Sequence, residues 1–179
     1  MKAIKFLSIA FILLGIGFVA CKKDAIYPSD PGKISVKMKD APGDYLAVYV
    51  DVQQVRINYN GVSWLDLSTN AGIYDLLTLQ NDITATLTNG AVVPAGTINQ
   101  IRLVLGPNNS VMTADSIVHP LSVPSGSETG LKVNANTPVY PNLLTTIVLD
   151  FDADQSIVMH GNGTYSLKPV IRLDQVIQQ

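Results

Sequence analysis

Cysteine occurs once in the 179 residues, glutamate once, tryptophan once and histidine twice. A single thiol excludes an intramolecular disulfide framework and any zinc or iron–sulfur centre built on several thiolates. One glutamate, Glu128, stands against 13 aspartates. That excludes an all-Glu pair for glycoside hydrolysis and leaves aspartate pairs open. It also argues against helices, since Glu suits helix interiors and Asp suits turns and caps. Charged residues make up 15% of the chain, against roughly a quarter in an ordinary soluble domain. A net charge of -2 gives no electrostatic basis for nucleic-acid binding. Walker loops, dinucleotide glycine patterns and Gly-x-Ser-x-Gly elbows are all missing.

What is present begins with a leader. Lys2 and Lys5 precede an apolar run of 15 residues, Phe6 to Ala20. The run is too short for a comfortable membrane span and reads as a secretory signal, residues 1–20. Phe18-Val19-Ala20-Cys21 resembles a bacterial lipobox. Ala20 and Cys21 fit that pattern; Phe18 stands where leucine is preferred. The chemistry needs a thiol, because diacylglycerol is attached through a thioether, and cleavage frees the Cys21 amine for a further acyl chain such as palmitate. Two or three chains give lasting anchorage where one would not. Lys22 follows the cysteine, rather than the Asp that marks inner-membrane retention in some Gram-negative bacteria. The expectation is a lipoprotein of a Gram-negative cell envelope, held at the outer membrane on its periplasmic or surface face, with no transmembrane span after cleavage. Cleavage leaves 159 residues and, with Lys2 and Lys5 gone, a charge of -4. Residues 21–32 form a lipidated, flexible tether containing Pro28, Pro31 and Gly32. Residues 33–179 form a single domain.

From Lys33 the chain alternates with the period of half-buried strands. Ile34, Val36 and Met38 form one stripe; Leu46, Val48, Val50 and Val52 form another. Val55, Ile57 and Tyr59 continue in the opposite phase, which predicts a bulge near Gln53-Gln54. Further stripes are Ile101-Leu103-Leu105, Ile147-Leu149-Phe151 and Leu167-Ile171-Leu173. Asn-Gly pairs at 60, 89 and 162 suit tight type I′ hairpins. Ile73 to Leu79 fits a short helix or a strand. The pattern predicts an all-β fold, an antiparallel β-sandwich of about seven to nine strands.

Three stretches carry a family resemblance: Lys37-Met38-Lys39-Asp40-Ala41-Pro42-Gly43-Asp44-Tyr45, Pro94-Ala95-Gly96-Thr97 with Gln100-Ile101-Arg102-Leu103, and Leu149-Asp150-Phe151-Asp152-Ala153-Asp154 with Lys168-Pro169-Val170-Ile171-Arg172. Together they resemble the bacterial family called domain of unknown function 4382, found largely in secreted lipoproteins. The match runs from about Lys33 to Arg172. It implies a prealbumin-like or immunoglobulin-like sandwich and supplies no catalytic residues.

Asp150, Asp152 and Asp154 sit at alternate positions, so an extended chain would point them to one face about 7 Å apart. Asp40 and Asp44 flank a Pro-Gly turn that could share that end. Such a set could hold calcium, a hard cation taking six to eight oxygens. The other reading has these carboxylates capping turns or pairing with Arg102, Arg172 or Lys168. His119 and His160 read as solvated surface residues. Trp64, Tyr45 and Tyr49 could stack on a sugar or fill the core. Asp115-Ser116-Ile117 resembles a short O-glycosylation signal of some Gram-negative lineages. With no cofactor implied, the expected function is a non-catalytic envelope module binding a glycan or a protein. The alternatives are a structural adhesin or assembly subunit and, behind both, a metal-dependent or Asp-based hydrolase.

Overall fold

Ile34, Val36 and Met38 are fully buried in β1 (Gly32–Asp40), where they alternate with outward-facing residues. The computed structural model describes residues 30–179 except 42 and 124–129. The leader, Cys21, the tether up to Ser29 and Glu128 therefore lie outside the described residues. After β1 come β2 (Ala47–Tyr59), β3 (Ser63–Asp66), β4 (Gly72–Asp75), β5 (Ala85–Val93), β6 (Gly96–Leu105) and β7 (Ser110–Met112). β8 (Val118–Ser122), β9 (Leu131–Val139) and β10 (Leu144–Asp152) lead to one helical turn, α1 (Ala153–Ser156). The chain closes with β11 (Ile157–Met159), β12 (Tyr165–Leu167) and β13 (Val170–Gln178).

Among the described residues the strands form two sheets. The four-stranded sheet runs β13-β10-β1-β5; the nine-stranded sheet runs β11-β12-β8-β7-β2-β6-β9, with β3 and β4 on β2. Their inner faces enclose one core containing Ile34, Val50, Ile57, Ile101, Leu149 and Phe151. The fold is all-β and sandwich-like, as expected.

Several particulars differ from expectation. The sheets are mixed, because β1 pairs with β10 and β8 with β12 in parallel. A two-residue alternation reports burial and is silent on strand direction. In β10 Ile147 to Asp152 are all buried, as in strands covered on both faces. Among the described residues thirteen strand segments replace the expected seven to nine, partly because both neighbours of β2 are interrupted. Leu46 precedes β2 and is exposed rather than part of its core stripe. Ile73 to Leu79 is both things: β4 ends at Asp75, whose carboxylate caps a 3₁₀ turn, Leu76–Leu79.

The register shift at Gln53 falls where the hydrophobic phase slips. Of the Asn-Gly pairs, only Asn60-Gly61 has both residues at positive φ, the type I′ hairpin geometry joining β2 to β3. At Asn89-Gly90 only the glycine is left-handed, and the pair makes a bulge inside β5 where Gly90 N–H donates to Ser35 Oγ. At Asn162-Gly163 the glycine closes a turn after His160, and Asn162 Oδ1 caps Thr164.

The domain has two distinct ends. Asp30 and Pro31 enter beside the β9–β10 turn, where Asn142 N–H donates to the Pro31 carbonyl. The nine residues of β1 then carry the chain roughly 26 Å to Asp40. The start of β2 and α1 lie at that far end, and the β7–β8 turn projects beyond Ala47, which pairs with Met112.

Candidate functional site

The carboxylates of the far end meet only in part. Asp150 and Asp152 end β10, but the strand stops there and Asp154 lies in α1, exposed to solvent. The expectation that all three share one face is corrected: Asp152 ends the extended run by capping the helical turn. Its Oδ1 accepts from Gln155 N–H at 3.0 Å and its Oδ2 from the Gln155 side chain at 2.6 Å. Asp150 is buried and takes the Arg172 guanidinium from β13. Asp40 Oδ1 accepts from Ala153 N–H at 2.9 Å, so the end of β1 is tied to α1. Asp44 is exposed, and the neighbouring Gly43 packs near Asp154. Among the described residues no group of three metal-ligating side chains converges.

Asp40 is the unusual member. It is 4% exposed and its Oδ2 makes no hydrogen bond. Burial raises its carboxyl to about 6; the Ala153 amide opposes this, as does the Gln80 side chain, which approaches without completing a hydrogen bond. The charges of Asp150 and Asp152 push the same way as burial.

The aromatic candidates separate. Tyr45 packs on the core at the far end, where burial, Asp154, Tyr165 and Asp44 all raise its hydroxyl above the usual tyrosine range. Tyr165 stacks at 4.7 Å on His119, a tilted contact that sequence spacing gave no means of finding. Tyr49 stands on the solvent face of the large sheet between Asp75 and Ser110. Trp64 stands on that same solvent face near the tether end, in β3 opposite Asn58.

Around Trp64 the sheet register builds a platform. Trp64, Asn58, Gln100 and Asn134 form one row across β3, β2, β6 and β9. With strands about 4.8 Å apart, the row is roughly 14 Å wide. Gln100 donates to Asn134 Oδ1 at 3.0 Å, which holds both amides in the plane of the face. The next row is Asp66, Arg56, Arg102 and Lys132. Arg56 pairs with Asp66, and Arg102 lays its guanidinium 3.8 Å from the Trp64 ring centroid. The alternation that buries Val55, Ile57, Ile101 and Val133 is what sends these side chains outward. Trp64 was visible in the sequence; its partners came into view only with strand order.

His160 is exposed, as expected, yet its Nε2 lies 2.9 Å from Ser166 Oγ across the β11–β12 hairpin. Ser166 is buried, and among the described residues no carboxylate hydrogen-bonds the His160 ring. His119 is half-buried rather than solvated because Tyr165 covers it.

A family model described as domain of unknown function (DUF4382) matches residues 31–169. The chain belongs to this family. The match covers the sandwich from the start of β1 to the residue before β13, including the Trp64 platform and the carboxylates of the far end. No curated protein and no solved structure matches the chain.

Proposed function

We propose that this member of the DUF4382 family is a lipid-anchored binding module of a bacterial cell envelope that holds a glycan on the Trp64 face. The anchor rests on the leader and on Cys21 as the sole thiol at the lipobox position. The binding reading rests on one observation: an indole, three side-chain amides and two guanidinium groups share one outward-facing patch of the large sheet. Sugars present apolar C–H faces that stack on aromatic rings and hydroxyls that pair with amides, and this face offers both. We take the module to be non-catalytic. The Ser166–His160 pair has no orienting carboxylate among the described residues, and Asp150 and Asp152 are engaged by Arg172 and Gln155.

Two experiments test the two halves of the reading. Metabolic labelling with a palmitate analogue should mark wild-type protein and spare Cys21→Ser; equal label on both removes the anchor. A glycan array should return a ligand class for wild-type protein that Trp64→Ala fails to hold.

A second reading, an envelope assembly subunit, has its own support. A groove of about 410 Å³ lies between β3 and β5, lined by Leu65, Asp66, Leu67 and Ser68 on one side and Ala91, Val92, Val93 and Pro94 on the other. Val92 is 66% exposed there. Among the described residues, β3 pairs only with β2 and β5 only with β1, so β3 presents an open edge and β5 one that Asn70 bonds at Thr86 and Leu87. Higher-order species of wild-type protein, dispersed by Val92→Lys, would favour this reading.

A further inference from the structure

The turn joining β7 to β8 carries a serine in a conformation that serine rarely adopts. Six described non-glycine residues have positive φ; five are Asn or Asp, whose side chains tolerate the left-handed region, and the sixth is Ser116 at +65°. Ala114, Asp115, Ser116 and Ile117 are all exposed. The turn is nonetheless well tied. Ser116 N–H donates to the Thr113 carbonyl at 2.9 Å, and Thr113 N–H donates to the Ile117 carbonyl at 3.1 Å. Asp115 Oδ1 accepts from Thr113 Oγ1 at 2.6 Å and from Ile117 N–H at 3.2 Å. An ordered, strained apex thus presents a hydroxyl, with a fixed carboxylate before it and an isoleucine 52% exposed after it. Glycine or asparagine would suit the backbone better, so the turn keeps serine at a conformational cost, and the hydroxyl is what serine adds.

We propose that Ser116 is an acceptor site for O-linked glycosylation by an envelope glycosyltransferase. Ser116 Oγ attacks the anomeric carbon of a glycosyl diphosphate donor. The new C–O bond forms as the anomeric carbon–phosphate oxygen bond breaks. The diphosphate leaves with the bonding pair, and the hydroxyl proton passes to a base of the transferase. Glycosyl transfer develops oxocarbenium-like positive charge, which an adjacent carboxylate favours. Asp115 is kept ionised for this, since the Thr113 hydroxyl and then the Ile117 amide hold its carboxyl below the usual range. Position agrees with chemistry: the turn projects from the end opposite to where the tether enters, the end furthest from an anchored membrane. The inference rests on the export reading of the leader.

The test is intact-mass and fragmentation analysis of full-length protein recovered from the envelope of its own host. Wild-type protein should carry a glycan mass increment that fragmentation places on Ser116. Ser116→Ala and Ser116→Gly should both lose it completely. The glycine variant relieves the positive φ and so should melt no lower than wild type, which separates loss of the acceptor from loss of the fold. Envelope-localised wild-type protein with bare Ser116, or an increment surviving in either variant, overturns the acceptor assignment and leaves export standing. Recovery of the protein in the cytosolic fraction overturns both.

Discussion

Asp40 stabilises the fold in one protonation state and strains it in the other. Its folded-state pKa of about 6 lies above the roughly 3.9 of an unfolded aspartate. The folded state therefore binds the proton more tightly. The contribution is fully present below about pH 4 and is lost as pH rises through 6, about 3 kcal/mol in total. Asn in its place would still accept the Ala153 N–H and would carry no charge. Asp40→Asn should melt several degrees above wild type at pH 7.5, and the two should converge at pH 4. A thermal melt series across that range checks it; a constant difference at every pH would show that Asp40 acts through packing alone. Little of this was legible beforehand. The sequence placed Asp40 near the β10 carboxylates, but whether an aspartate is solvated or buried depends on which strand ends beside it. Trp64 shows the same limit, since its identity was plain and its Arg102 cover was not.

At the scale of elements, the interruption between β6 and β7 is held by a buried carboxylate. Asp51 is 2% exposed and accepts from Gln53, from Asn108 N–H at 3.2 Å and from Asn108 Nδ2 at 3.0 Å. Its own N–H donates to Asn109 Oδ1 at 2.9 Å, and its carbonyl accepts from Gly106 N–H at 2.7 Å. This knot lets two short strands follow β2 as one interrupted partner. A Cβ on Gly106 would sit 2.2 Å from Asp51 Oδ2, so Gly106→Ala should cost about 2–3 kcal/mol in urea unfolding. Gly90 is the contrast: its φ is +60° but nothing lies within 4 Å of where a Cβ would stand, so Gly90→Ala should cost only about 1 kcal/mol. Equal losses would contradict the steric account. The strand stripes were legible because burial imposes a period of two along every strand that covers the core. The knot was not, because Pro107-Asn108-Asn109 reads as any turn until Asp51 is known to lie beneath it. Parallel pairing of β1 with β10 was hidden for a related reason: contacts between residues over 100 positions apart leave no local trace.

The described residues form a sandwich with Asp30 at one end, the buried carboxylates Asp40, Asp150 and Asp152 at the other and an aromatic–amide face along one side. If Cys21 anchors it, the far end and the Ser116 turn point away from the membrane, while the Trp64 row lies nearer the anchor, beside the Asn60-Gly61 hairpin. A lipid anchor predicts a simple partition: wild-type protein should pellet with membranes and Cys21→Ser should stay soluble in the same fractionation. The glycan reading makes the sharper demand, because it assigns the contact to one indole. Removing that ring leaves the core untouched, since Trp64 lies outside the buried cluster. The most direct measurement is titration of the glycan class returned by an array into wild-type and Trp64→Ala protein, with Tyr49→Ala as a control from the distant part of the same face. The account predicts at least about a tenfold loss of affinity for Trp64→Ala, a contact worth about 1.4 kcal/mol, and none for Tyr49→Ala. Equal affinity of Trp64→Ala and wild type would contradict it.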